Sequence, residues 1–418
     1  MIEVNASIIT IGDELLIGQT IDSNSAFIGM ELNKIGIWVK RRVAIGDIKE
    51  DILDTLAEQA QLAQVIFITG GLGPTADDIT KPALCAYFRA SLVQNKEVEQ
   101  HVRGIFSRAN RPMSDRNIKQ AEVPDNCTVL HNARGTAPGM WFEKDGIVYI
   151  SLPGVPAEMM GLVEKEVIPR LKSHFDLPLI LHQTALTFGC AESALADVLL
   201  PFENSLPPYI KLAYLPNYRM VKLRLTAKGS DREQLKAAME KHFAAMKEYV
   251  AQWLVAEEDI TIVEIVSRLL QERHQWVATA ESCTGGYIAH LLSSRPGSSR
   301  SFKGGVVSYA NEVKENTLSV QRATLEEHGA VSEQTVKEMA NAVLQLMHVD
   351  YGIATSGIMG PDGGTTEKPV GTVWIAIAGK GSVVAQKHFV HMDRKRNIEI
   401  TASIALNMLR RFIVKESE

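Results

Sequence analysis

The stretch "ATAESCTGGYIAHLL" at 278–292 places Ser282, Cys283 and Thr284 in succession before Gly285 and Gly286. Each of the three side chains is a nucleophile that stays weak until something takes its proton. The apolar run before them, "QWVATAE", reads as a strand. The run after them reads as a helix opening at about Thr284. Amides at a helix start favour negative charge, so the backbone around Cys283–Gly285, with Gly286, reads as an oxyanion hole for attack on a carbonyl. The plainer alternative is a Ser or Thr that merely caps the helix.

A catalytic cysteine wants a histidine partner. His290 is seven residues on and too far along the same helix, while His328, His388 and His391 stay open. Cys283 therefore reads as core-facing. For Ser282 a base stands downstream in "GGVVSYANEVKENTL" (304–318), where a strand runs into a short helix and gathers Tyr309, Asn311 and Lys314. A desolvated lysine can be neutral near pH 7 and accept the serine proton, and a tyrosine can relay or orient it. Without the serine turn the same stretch would read as a surface lysine and a half-buried tyrosine. Two more stretches suit a ligand. "YGIATSGIMGPDGGTTEKPVGTVWIAIAG" (351–379) reads as strand, glycine loop, strand, with Ser356, Gly357 and Gly360 on a loop open to a phosphate or a ring. "HMDRKRNIE" (391–399) sets Arg394 before the final helix, either a phosphate clamp or part of a solvated charge run.

A second set lies near the N-terminus. "ITGGLGPTADDITK" (68–81) follows a buried strand and precedes a helix, the end of a parallel sheet where ligands bind. Gly70, Gly71, Gly73 and Thr75 read as a loop whose N–H groups face phosphate oxygens. Asp77 and Asp78 are hard oxygen donors suited to a divalent cation on a diphosphate. "IGDELLIG" (11–18) brings Gly12, Asp13 and Glu14 to the same sheet edge. The spacing is neither G-x-x-x-x-G-K-[ST] nor a good G-x-G-x-x-G. The plain alternative is a tight turn with two aspartates as helix caps.

The elements that must hold these sets follow from periodicity. Strands are expected at 6–12, 38–46, 64–71 and 146–154, with helices at 23–36, 49–63 and 156–175, so that 1–172 reads as a parallel α/β sheet covered on both faces. A β-α-β-β-α module follows over 176–255, and α/β alternation returns over 257–418, ending in a helix at 397–414. The chain has 418 residues, which suggests two to four domains, and 45% of them are hydrophobic, enough for a core in each. Lys and Arg number 44 against 49 Asp and Glu, a formal charge of −5, so a nucleic-acid partner is not expected. No apolar run approaches the ~18 residues of a membrane span, and no signal peptide is visible. Four scattered cysteines fit a reducing cytoplasm better than a zinc site or disulfide framework.

"GDELLIG", "ITGGLGPTADDIT" and "LPGVPAEM" resemble the signatures of the CinA family, whose N-terminal domain is similar to the molybdopterin-binding MoaB/MogA fold. Residues 176–255 resemble that family's KH-like domain. They lack the G-x-x-G loop with which a KH fold clamps nucleic acid, so they are expected to act as a linker or dimerisation element. "AESCTGG", "SYANEVK", "SGIMGPDGG" with "KPVGTVW", and "DR" resemble the nicotinamide-nucleotide amidase domain that ends CinA proteins. The expected architecture is a three-layer α/β domain, a small α+β module and a second α/β domain.

For the C-terminal domain the resemblance implies Ser282 as nucleophile, activated by Tyr309 and Lys314. Arg394 and the 356–360 loop would hold the nucleotide, with no cofactor. The substrate implied is nicotinamide mononucleotide and the products are nicotinic acid mononucleotide and ammonia. For the N-terminal domain it implies hydrolysis of ADP-ribose to AMP and ribose 5-phosphate, using Mg²⁺, Mn²⁺ or Co²⁺ with K⁺. No Nudix-type glutamate box is present, so such hydrolysis would use a different site design. A homodimer is also implied. His391 and Met392 stand where a small Ser-Gly pair often precedes the Asp-Arg, and a second arginine is missing, which unsettles the phosphate grip and leaves the acyl chemistry alone. The competing readings are a non-catalytic, competence-associated interaction protein and a pterin-binding protein.

Overall fold

The structure, a computed structural model, describes residues 4–75, 78–379 and 381–415. By compactness the chain forms two units. The first runs to His182 and takes in 207–211 and 226–241; the second comprises 183–206, 212–225 and the chain from His242 onward.

In the first unit, strands β1 (Asn5–Ile11), β2 (Trp38–Ile45), β3 (Val65–Thr69), β4 (Thr128–Leu130), β5 (Gly139–Lys144) and β6 (Ile147–Leu152) make one sheet in the order β2-β1-β3-β6-β5-β4. The side chains alternate strictly. Ala6, Ile8, Val65 and Phe67 face the layer of helix α1 (Ser23–Lys34) and the closing helical segments from Pro156 to His174. Ile9, Ile11, Ile66 and Ile68 face helices α2 (Lys49–Gln59) and α3 (Thr80–Phe88). With both faces covered, the central strands are buried along nearly their whole length. The expected all-parallel sheet is corrected at one edge: β5 pairs antiparallel with both β6 and β4. The closing helix carries a π-helical turn at Val163–Val167.

The middle module is a four-stranded sheet of β7 (Leu179–Phe188), β8 (Ile210–Asn217), β9 (Met220–Gly229) and β10 (Leu254–Ala256), ordered β8-β9-β7-β10. It carries helices α4 (Glu192–Asn204) and α5 (Arg232–Val250), the expected β-α-β-β-α order.

The C-terminal part of the second unit has a five-stranded sheet of β11 (Val277–Glu281), β12 (Phe302–Val307), β13 (Tyr351–Gly357), β14 (Thr372–Gly379) and β15 (Ser382–Phe389), ordered β12-β11-β13-β14-β15. The first three strands are parallel and the last two form an antiparallel hairpin. On one face Val277, Tyr351 and Ile353 pack with helices α6 (Ile262–Glu272), α7 (Tyr287–Ser293) and α10 (Arg394–Lys415). On the other face Ala278, Ala280 and Ala354 pack with helix α9 (Glu333–Met347). A short helix α8 (Asn311–Asn316) follows β12. No helix among the described residues is long and apolar enough to cross a membrane.

Candidate functional site

The carboxyl ends of β12, β11 and β13 bring the C-terminal set together. Glu281 pairs in register with Val307 on one side and Thr355 on the other. The ladder continues one residue further, through Ser308 N–H to Glu281 O (2.8 Å) and Ser282 N–H to Thr355 O (2.9 Å). Ser308, Ser282 and Ser356 therefore stand side by side.

The turn after β11 differs from expectation. Helix α7 opens at Tyr287, not at Thr284, because Gly285 and Gly286 sit at φ 61° and 93°, left-handed backbone that does not begin a right-handed helix. The first amides of α7 are already taken. The Glu281 carboxyl group, fully buried, accepts from Ile288 N–H (3.0 Å) and Ala289 N–H (2.8 Å). Gly285 N–H donates to Ser282 O (3.2 Å). The helix start is thus capped from behind by a residue whose role the sequence did not announce. Among the described residues the amides of Cys283, Thr284 and Gly286 carry no such backbone bond, and they are the turn's remaining donors.

Ser282 is nearly buried, at 9% exposure, and its Oγ makes no hydrogen bond among the described residues. Cys283 belongs to the apolar core with α6 and α10. Burial pushes its thiol up to about 12, although Thr355 partly opposes this, so the thiol stays protonated at neutral pH. Thr284 is also buried, its hydroxyl 2.7 Å from that of Thr355. These two side chains hold the turn onto β13.

Lys314 is 1% exposed. Its Nζ donates to the backbone carbonyls of Ser308 (2.8 Å) and Tyr309 (3.3 Å). Burial lowers its affinity for a proton, and the nearby Cys283 partly opposes that. A neutral lysine amine has two N–H bonds and one lone pair. With two carbonyls accepting the N–H bonds, the lone pair is left to accept a proton. No hydrogen bond joins Lys314 to Ser282.

Tyr309 is placed differently from its expected role. Its side chain is 60% exposed, and its hydroxyl accepts from Arg394 Nη2 (2.8 Å) instead of touching Lys314. Arg394 Nη1 donates to Gly360 O (2.8 Å), so one guanidinium ties the glycine loop to Tyr309. Ser356 is buried and donates to Ala330 O (2.6 Å), and Gly357 pairs with Val373 in the hairpin, so both shape the loop. Asn311 begins α8 as an exposed residue. Asn397, fully buried, donates to Met359 O and Met392 O (both 3.0 Å) and accepts from Met392 N–H (2.9 Å). It fixes the start of α10 where the sequence departs from the usual pattern. A cleft of about 630 Å³ lies over this corner, lined by Thr284–Tyr287, His290, Arg394, Lys395, Ile398 and Glu399. Its two exposed cations suit an anionic ligand, and its floor is the glycine turn that leads back to Ser282.

The N-terminal set is built at the ends of β1 and β3. Glu14 and Gly70 line a cavity of about 110 Å³ together with Thr10, Asp22, Asn24, Thr69 and Gly154. Asp13 instead lies against Gly46, where an added Cβ would come within 2.7 Å of its carboxyl oxygen. Gly12 carries the chain from β1 into this corner, its N–H bonded to Ile45 O (3.0 Å). The loop amides expected to face phosphate are partly spent. Gly70 N–H donates to Leu152 O (3.2 Å), and Gly73 and Thr75 N–H donate to Asp78 (2.7 and 2.8 Å). Gly71, at φ 61°, touches Thr80, where a Cβ would fall 2.2 Å from Oγ1. Asp78 also accepts from the Thr75 hydroxyl (2.5 Å), so its two oxygens brace the loop. Asp77 lies outside the described residues. Among the described residues no group of three or more His, Cys, Asp or Glu could hold a metal ion. The sequence missed Asn24. Its Nδ2 donates to Thr69 Oγ1 (3.1 Å) and Gly154 O (2.8 Å), while its buried Oδ1 has no partner.

Models of three families match this chain: a probable molybdopterin binding domain over 7–173, the KH domain of damage-inducible protein CinA over 182–256, and the CinA C-terminal domain over 259–413. A CinA-like protein of Cytophaga hutchinsonii is 46% identical over 408 residues, 98% of each chain. The chain belongs to the CinA family. A CinA-like protein of Flavobacterium psychrophilum is 44% identical over 99% of each chain. A solved CinA-superfamily structure from Klebsiella pneumoniae is 34% identical, with 37% of this chain and 99% of that one covered and a TM-score of 0.36. The MoaB/MogA-like, KH-like and C-terminal α/β order expected from the CinA motifs is the order found.

Proposed function

We propose that the C-terminal domain is a serine amidohydrolase that removes ammonia from nicotinamide mononucleotide. The observation that carries this reading is Lys314: a buried lysine whose Nζ donates to the backbone carbonyls of Ser308 and Tyr309, with the Ser308 backbone beside that of Ser282. A lysine buried without an anionic partner is costly and has little structural purpose here. The Ser282 oxygen attacks the amide carbon as its proton passes to Lys314. The carbonyl becomes an oxyanion against the turn amides, one such donor contributing about 3–4 kcal/mol. Collapse expels ammonia with the proton returned from Lys314, and water then releases the acid from Ser282. Arg394 and Lys395 in the cleft fit the substrate phosphate, and Tyr309 orients Arg394.

For the first unit we propose binding of a nucleotide such as ADP-ribose in the Glu14–Asn24–Gly70 cavity.

The test compares ammonia release from nicotinamide mononucleotide and from the riboside that lacks its phosphate. The mononucleotide should be deamidated with at least about tenfold higher kcat/KM, the size of one charge-assisted contact of about 1.5 kcal/mol or more. Equal rates would remove the phosphate assignment, and no ammonia from either would remove the amidase reading.

A further inference from the structure

The base and the nucleophile of the proposed site do not touch. Lys314 Nζ bonds only to the carbonyls of Ser308 and Tyr309 among the described residues. Ser308 carries the carbonyl that Lys314 holds, and its backbone neighbours that of Ser282. The register that pairs Glu281 with Val307 sets Ser308 beside Ser282, with the Ser308 N–H to Glu281 O bond fixing the two chains. Side chains alternate along a strand, and Ala280 and Val306, two residues earlier, both pack on the α9 face. Ser282 and Ser308 come directly after the strand ends Glu281 and Val307, and Cys283 packs in the opposite core. The Ser308 side chain is fully buried and its hydroxyl has no hydrogen-bond partner. A buried hydroxyl left unbonded costs free energy, and the great majority of such groups in folded proteins are paired. Here the orphan belongs to the residue whose own carbonyl holds the base.

We infer that Ser308 is a proton-relay residue linking Ser282 to Lys314. This rests on the amidase reading of the same site. The Ser308 hydroxyl is bonded to neither group at rest, so in the attack it turns to bridge them: the Ser282 proton passes to the Ser308 oxygen while the Ser308 proton passes to the Lys314 lone pair. The Ser282 oxygen forms its bond to the amide carbon, and the carbonyl electron pair moves to oxygen. On collapse the carbon–nitrogen bond breaks, and the Lys314 proton returns through Ser308 to the departing nitrogen as ammonia. A water proton takes the same path when the acyl group is hydrolysed. Each proton moved in the forward step is returned, so Ser308 and Lys314 end as they began.

The experiment uses the full chain and ammonia release from nicotinamide mononucleotide, with kcat, KM and the pH profile of kcat/KM for wild type, Ser308→Ala, Ser308→Thr and Ser282→Ala. The relay predicts that Ser308→Ala loses about tenfold to a hundredfold in kcat, the scale of proton-transfer catalysis, with KM changed by less than about threefold. It predicts an altered acid limb in the pH profile, and recovery of most of the rate in Ser308→Thr, which keeps the hydroxyl. Wild-type kcat and pH profile in Ser308→Ala, with Ser282→Ala inactive, would overturn the relay and leave the amidase reading standing. Equal losses in Ser308→Ala and Ser308→Thr, with unfolding midpoints falling in parallel, would also overturn it, because packing alone would then explain the effect. Full activity in Ser282→Ala would overturn both.

Discussion

Arg394 Nη2 donates to the Tyr309 hydroxyl at 2.8 Å, across 85 residues of chain. The tyrosine thus belongs to the ligand-holding side of the site and not to the lysine. Tyr309→Phe should then raise KM for the mononucleotide by about two- to tenfold, the value of one exposed hydrogen bond to a charged group, with kcat nearly unchanged. Arg394→Ala should raise KM further. A large fall in kcat with constant KM in Tyr309→Phe would return the hydroxyl to the proton path.

Lys314 is held below the ordinary lysine range by burial. In the proposed mechanism the neutral amine is the base, so kcat/KM should rise with pH along an acid limb and flatten once Lys314 is deprotonated. The midpoint of that limb should lie below the ordinary lysine value. Lys314→Arg, whose side chain stays charged, should lose about 10²–10⁴ in kcat at every pH. A rate that falls with rising pH through the neutral range would contradict this.

Much of the architecture was legible. The central strands read as apolar runs because both faces of each sheet are covered, and the helices read from their 3.6-residue stripes. The edge strand Thr128–Leu130 and its neighbour Gly139–Lys144 were missed, the first being only three residues long and the second lacking alternation. The start of α7 was misplaced because two left-handed glycines intervene. Ser282 and Lys314 were singled out from residue type, but the Tyr309 hydroxyl's direction was not legible, because its partner lies in a distant segment. Glu281 gave no signal, since its acceptors reach amides seven and eight residues ahead only after the chain has turned.

Glu281 itself gives a stability prediction. Glu281→Ala leaves two amides of α7 without their acceptor and should destabilise the C-terminal domain by about 2–4 kcal/mol, read as a lower denaturant midpoint. An unchanged midpoint would mean that water replaces the carboxyl group at no cost.

Lys81 offers a pH test in the first unit. Its amine is buried, donates to Gln120 O and Glu122 O (both 2.8 Å), and is lowered by burial to about 8 from 10.5. Between about pH 8 and 10.5 the unfolded chain binds more protons at this residue than the folded one, so stability gains from it as pH rises through that window. Below it both states are protonated and the burial penalty is full; above it both are neutral. The wild type should therefore gain up to about 3 kcal/mol relative to Lys81→Met across the window. Parallel pH curves for the two proteins would contradict it.

In the proposed mechanism Ser282, and not its neighbour, attacks the amide. Ammonia release from nicotinamide mononucleotide, measured with a chelator present for wild type, Ser282→Ala and Cys283→Ala, separates the two. A loss of at least about a thousandfold is expected in Ser282→Ala, with near wild-type turnover in Cys283→Ala, whose thiol is held protonated by burial up to about 12. Turnover that survives Ser282→Ala and vanishes with Cys283→Ala would contradict it.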